Sequence, residues 1–349
     1  MSLSSVPVLT GIFVIAAVAI WFAGIQLAAC TNAVDQRFGL GSALGGLIIL
    51  AVATNLPEIA IVSAAAVSHK FDIATGNLLG GISIQTVVLV ALDGFGIRRQ
   101  TLTNATASLV QVLEGALVIA VLAVAIMATQ LPASVVHLRI DPSALLIVVI
   151  WLAGLYLVRA AGRGLPWQKA SGAVPPQAAS RRAANKEATD GKRSTAAVLT
   201  ILVAAALVTL VSGVVLEETG SRIADQLGIS GVVFGGTILA AATSLPELST
   251  GLASMKARYF ELAVSDIFGG NAFLPVLFFP ATLLAGQSVL GKATPSDVLL
   301  AGLGILLTTV YMAGLIFRPK REYLRLGPDS IAVLVLYTLG VVALIVVGK

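Results

Sequence analysis

The feature that most constrains this chain is an internal copy. Residues 45–63 read GGLIILAVATNLPEIAIVS and residues 234–252 read FGGTILAAATSLPELSTGL. Each copy sets one acidic residue, Glu58 or Glu247, in an otherwise apolar run, and the two are 189 positions apart. The register persists past the glutamates, so that Asn77 in FDIATGNLLGG matches Asp266 in FELAVSDIFGG. Over 46–81 against 235–270, 14 of 36 positions are identical without a gap. Two halves of the chain must therefore share a local fold, and both carry the same costly group. A carboxylate in hydrocarbon costs roughly 2.5–3.5 kcal/mol on insertion scales. Bearing that cost twice, at matching places, points to a cation that offsets it.

Hydrocarbon is the medium that composition implies. Of 349 residues, 57% are hydrophobic and 11% charged, whereas soluble domains carry about 25% charged residues. Crossing a bilayer takes about 20 apolar residues. Ten segments qualify, near 7–29, 40–66, 72–95, 105–129, 142–160, 195–216, 229–254, 261–285, 296–317 and 329–347. The expected fold is an all-α membrane protein of ten transmembrane helices. The segment 161–194, with Pro166, Pro175, Pro176 and a run of Lys and Arg, reads as a flexible linker. It separates a first five-helix repeat, 1–160, from a second, 195–349. Five is odd, so the second repeat enters the membrane in the opposite sense and the halves are inverted. In transporters of that plan the ion site lies at the midplane, where the repeats meet.

Basic residues set the orientation. With the N-terminus outside, 17 of the 22 Lys and Arg fall in inside loops, among them Arg37, Arg98, Arg99, Arg163 and the linker residues. The outside receives Lys70, Arg139, Arg222, Lys292 and Lys349. The linker is then cytoplasmic, and the net charge of +5 reflects this bias rather than nucleic-acid binding. Cys30 ends an LAAC tetrapeptide, but no Lys or Arg precedes the apolar run, so it reads as a helix-end residue rather than a processing site.

The copied motif supplies oxygen. Pro57 and Pro246 interrupt their helices, because proline lacks an N–H and clashes with the carbonyl four residues back. Carbonyls freed nearby, such as those of Ala51 and Ala240, are then available to a cation. Thr54, Asn55, Thr243 and Ser244 add side-chain oxygens within a turn of each glutamate. Asn77 and Asp266, on the third and eighth segments, form the opposite wall. The set lacks thiolate and imidazole and suits a hard cation; Ca²⁺ takes 6–8 oxygens, while zinc or copper favours Cys or His. His69 and His137 fall at outer helix ends and read as surface residues. Glu114 has no copy in the repeat; Asp72, Asp93 and Glu261 read as structural helix-end residues.

The sequences ATNLPE at 53–58 and ATSLPE at 242–247 resemble the alpha-repeat motifs of the cation/calcium exchanger superfamily, and of its sodium/calcium exchangers in particular. The resemblance spans the chain. It implies that Glu58 and Glu247 coordinate a central divalent ion, with oxygens from Thr54 and Thr243 and carbonyls of Ala51 and Ala240. It further implies that Asn77 and Asp266 line flanking sodium sites, and that the first and sixth helices slide across the rest. Departures are Ala53 and Ala242 where the family has Gly, and Gly80-Gly81-Ile82 where it has Gly-Ser-Asn. Asn55 stands where the proton-coupled branch carries asparagine.

The expected function is a secondary antiporter of a prokaryotic inner membrane, exchanging Na⁺ for Ca²⁺ or a related divalent ion, with Ca²⁺/H⁺ exchange as the alternative. The ions are cargo, no cofactor is called for, and a single chain would suffice for transport. An intramembrane enzyme lacks support, with neither an HExxH motif nor a Ser/His pair deep in a span. A passive channel would need a continuous polar pore, whereas here the polar groups cluster at one depth.

Overall fold

The structure, a computed structural model, describes residues 5–38, 52, 55–96, 100–106, 108–131, 139–161, 194–256, 258 and 260–347. Among these residues the regular structure is helical. The helices are α1 (Val6–Phe38), α2 (Leu56–Val67), α3 (Phe71–Gly96), α4 (Val110–Ala128), α5 (Pro142–Ala161), α6 (Thr195–Leu227), α7 (Gly231–Thr243 with Leu245–Lys256), α8 (Phe260–Ala285), α9 (Pro295–Phe317) and α10 (Pro328–Val347). Eight of them are long and apolar enough to cross a bilayer, and the two arms of α7, bent by 40°, make a ninth if taken as one span. Of the expected span 40–66, the residues before Leu56 lie outside the described residues except Val52 and Asn55. Apart from Ala161 and Ser194, so does the linker.

Helix ends follow local chemistry. Ser194 accepts the Ala197 N–H at 3.2 Å to start α6, and Gly228, at φ 66°, ends it. Thr294 and Asp297 form a reciprocal capping box at the start of α9, with Pro295 in its first turn. Two helices overrun the expected spans. The apolar runs near 7–29 and 195–216 continue as helix to Phe38 and Leu227, because a charge ends hydrophobicity without ending backbone hydrogen bonding. Each helix is 33 residues long, or about 50 Å. The polar end of α6 is braced by Arg222 on Glu218 at 2.5 Å, one turn apart, and by Lys70 on the buried Glu217 at 3.1 Å. His69, exposed as expected, turns the chain between α2 and α3 at φ 57°.

Packing puts α3 and α8 innermost, with α6 and α10 among the least enclosed spans. Small residues set the closest approaches. A Cβ on Gly80 would lie 2.2 Å from the Gly236 Cα, so α3 and the first arm of α7 meet backbone to backbone. Helices α1 and α6 run along each other, and each seats a glycine on the proline break of the opposite half. A Cβ on Gly24 would meet the Pro246 side chain at 2.5 Å, and one on Gly213 would meet the Ala60 Cβ at 2.6 Å and the Pro57 carbonyl at 3.1 Å. Gly24 and Gly213 are themselves 189 residues apart, so the copied register extends into this contact.

Candidate functional site

The two breaks are built alike. Asn55 (φ −99°, ψ 21°) precedes α2, which opens with Leu56 and Pro57. Ser244 (φ −82°, ψ 1°) separates the arms of α7, and the second arm opens with Leu245 and Pro246. Proline cannot donate to the turn before it, so the helix bends there. The first arm of α7 also contains a π-turn, Gly235–Leu239, in the stretch that faces Gly76 and Gly80. The extra residue in that turn rotates the helix just ahead of the motif.

These breaks bring the glutamates inside. Glu58 is fully buried and Glu247 nearly so. Among the described residues none of their four carboxylate oxygens has a hydrogen-bond partner, and no described Lys, Arg or His pairs with either. The carboxylates stand close enough to repel one another, with Asp266 adding to the repulsion at Glu247. The Thr243 hydroxyl lies beside Glu58 without completing a hydrogen bond to it. Its proton goes to the Ala240 carbonyl at 3.1 Å, which also receives the Ser244 hydroxyl at 2.8 Å and the Ser244 N–H at 3.0 Å. The Ala240 carbonyl, expected to be free, thus accepts three donors, and the hydroxyls that serve it keep their lone pairs for other contacts.

Asn77 on α3 is fully buried, and neither of its amide atoms has a partner among the described residues. Asp266 on α8 is half-buried and accepts the Thr250 hydroxyl at 3.2 Å. Ala51, Ala53, Thr54 and His137 lie outside the described residues. Among those described, no three His, Cys, Asp or Glu side chains stand close enough to grip an ion by themselves. Neutral oxygens have to complete any such site.

Some neutral groups escaped the reading of the sequence. Gln85, two turns beyond Asn77 on α3, is fully buried, and its amide atoms have no partner among the described residues. A Cβ on Gly270 would lie 3.4 Å from its Oε1 and 3.5 Å from the Asn55 Nδ2, so Gln85 and Asn55 flank the same glycine. Asn271 on α8 donates from Nδ2 to the Ile82 carbonyl and the Thr86 hydroxyl, both at 3.4 Å. Ile82 and Asn271 are 189 residues apart. Asn271 therefore ties α8 to α3 between positions that match in the copied register. Gln111 of α4 makes another tie, donating to Ser265 Oγ at 3.0 Å.

The profile of the sodium/calcium exchanger protein family matches residues 8–167 and 195–346. The chain belongs to that family. This exchanger is also similar to inner membrane protein YrbG of Escherichia coli (strain K12), at 24% identity over 280 residues that cover 80% of this chain and 81% of that protein. It is a multi-pass membrane protein. Its fold is that of solved cation exchangers. The H⁺/Ca²⁺ exchanger CAX superposes with a TM-score of 0.68 at 12% identity, covering 97% of this chain and 86% of that one. The sodium-calcium exchanger NCX_Mj superposes with a TM-score of 0.60 at 16% identity, covering 96% and 98%.

Proposed function

We propose that this exchanger is a secondary active antiporter that moves Ca²⁺, or a related divalent ion, against Na⁺ by alternating access. In this reading ten transmembrane helices form two inverted five-helix halves, 1–160 and 195–349, joined by a cytoplasmic linker at 161–194, with the N-terminus outside. Glu58 and Glu247 hold the divalent ion together with oxygens of Thr54, Thr243, Ser244, Asn55 and Ala51, while Asn77 and Asp266 serve the coupling ion.

One observation carries this reading. Two repeat-equivalent glutamates lie buried close enough to repel each other, and none of their four oxygens has a hydrogen-bond partner among the described residues. An uncompensated carboxylate pair in a medium of low dielectric is strongly unfavourable. The site therefore returns across the membrane loaded with another divalent ion, with sodium ions or with protons, and obligatory loading is what makes an exchanger. Proton coupling is the second reading. It is favoured by Asn55, which is buried beside the first glutamate, and by the likeness to the H⁺/Ca²⁺ exchanger CAX.

Uptake of calcium-45 into inverted vesicles under an imposed Na⁺ or H⁺ gradient separates the two readings. Uptake under the Na⁺ gradient alone supports the first. Uptake under the H⁺ gradient alone supports the second. Uptake that needs neither would refute exchange. Glu58→Gln should abolish divalent exchange while leaving membrane insertion intact, and robust transport by that variant would overturn the ligand assignment.

A further inference from the structure

A second group of buried acids lies away from the copied motif, where the C-terminal end of α3 meets the beginning of α10. Asp93 of α3 is almost fully buried and well bonded. Its Oδ1 accepts the Leu102 N–H at 2.6 Å, and its Oδ2 accepts the Gly327 N–H at 2.8 Å and the Ser330 hydroxyl at 2.6 Å. Asp329, in the first turn of α10, is 8% exposed, and among the described residues neither of its carboxylate oxygens completes a hydrogen bond. The Thr103 hydroxyl and the N–H groups of Asp329 and Ser330 only approach it. Tyr311 of α9 is fully buried near both acids, and its hydroxyl has no partner among the described residues. No described basic side chain forms an ion pair with Asp93 or Asp329.

The far end of the bundle supplies an internal control. Asp141, at the start of α5, accepts the Ser143 N–H at 2.8 Å and a short hydrogen bond from Ser288, beyond α8. That tie joins α5 to the segment that follows α8 much as Asp93 and Ser330 join α3 to α10, and Asp141 and Ser330 are 189 residues apart. It uses one acid, fully served by donors. The residues equivalent to Asp329 and Tyr311 are Ile140 and Leu122. The Asp93 end therefore carries a carboxylate and a hydroxyl that the shared architecture does not need. The added carboxylate is also held in place. A Cβ on Gly314 would lie 2.5 Å from its Oδ2, and one on Gly327 would lie 2.4 Å from its Oδ1. Glycine at both positions leaves the carboxylate room in its present place.

We propose that Asp93, Asp329, Tyr311 and Thr103 form a second hard-cation site, separate from the Glu58–Glu247 centre and specific for a divalent ion. Two carboxylates match a double positive charge, and an all-oxygen set of acid, phenol and hydroxyl suits Ca²⁺. Asp93 is positioned by its own donors and supplies charge, while Asp329 and Tyr311 offer open oxygens. An ion here would tie the start of α10 to α3 and α9 at the end that the distribution of basic residues places in the cytoplasm.

The test is equilibrium binding of calcium-45 to the purified full-length chain carrying Glu58→Gln and Glu247→Gln, which remove the central carboxylates. The expected result is one Ca²⁺ retained per chain, with affinity falling about tenfold or more on adding Asp329→Asn. Loss of all binding in the Gln/Gln chain, or unchanged affinity after Asp329→Asn, would overturn the proposal. Should Asp329→Asn fail to yield folded protein, terbium luminescence decides the matter. In the Gln/Gln background, Tb³⁺ emission excited through tyrosine should be quenched by Ca²⁺ and absent in Tyr311→Phe. Emission that persists in Tyr311→Phe would refute the site. The central reading stands or falls separately, on vesicle exchange by the unmodified chain.

Discussion

Replacing Gly80 by alanine tests whether the close crossing of α3 and α7 positions the ion site. The added Cβ would lie 2.2 Å from the Gly236 Cα and 2.4 Å from the Gly236 carbonyl oxygen. Carbon atoms in contact sit about 3.5–4.0 Å apart, so the two helices must part by roughly 1.3–1.8 Å. Backbone lies on both sides, and no side chain can swing away to relieve the clash. Overpacking of this kind costs about 1–3 kcal/mol, and the upper end applies here. Alanine's helix preference returns about 1 kcal/mol, which leaves a net loss of about 2 kcal/mol. The same exchange at Gly11, an exposed position of α1 where a Cβ would meet nothing within 4 Å, keeps only the gain. Thermal unfolding of the detergent-purified chains should therefore rank Gly11→Ala at or above the parent and Gly80→Ala well below it. Asn77 lies one turn from Gly80 on the same helix, so calcium binding by Gly80→Ala should weaken as well. Equal stability of the two variants would refute the backbone crossing.

Two further outcomes are expected. Lys70→Met strands the Glu217 carboxylate, which is 1% exposed, without its partner at 3.1 Å. Lys70 is itself partly exposed, so the expected cost is about 1–3 kcal/mol, below that of breaking a fully buried pair. Adding Glu217→Gln should restore most of the loss in a double-mutant cycle of thermal unfolding, and a purely additive cycle would exclude the pair. Asp266→Asn should change the sodium dependence of transport more than its calcium affinity; unchanged sodium dependence in vesicles would remove Asp266 from the coupling-ion wall.

The parts of this molecule that were legible in the sequence are those that it states twice. Glu58 and Glu247, with the prolines before them, stood out because a costly residue recurs in one register, and Asn77 and Asp266 followed from the same offset. Gln85 and Asn271 were harder to see, because their equivalents are Leu274 and Ile82 and repetition gives no signal for them. A buried amide in an apolar helix was the available clue. The overrun of α1 and α6 was hidden by reading hydropathy as helix length. The π-turn at Gly235–Leu239 has no marker beyond a pair of glycines. Asp329 reads locally as an acid suited to a helix start, and only the tertiary fold brings Asp93 and Tyr311 to it.

Because Gly24 rests on Pro246 and Gly213 on Pro57, each half lends its leading helix to the other. Severing the chain between 161 and 194 would leave two fragments, each with an uncovered kink that only the other's first helix fits. Such reciprocal lending is the geometry of a swapped dimer.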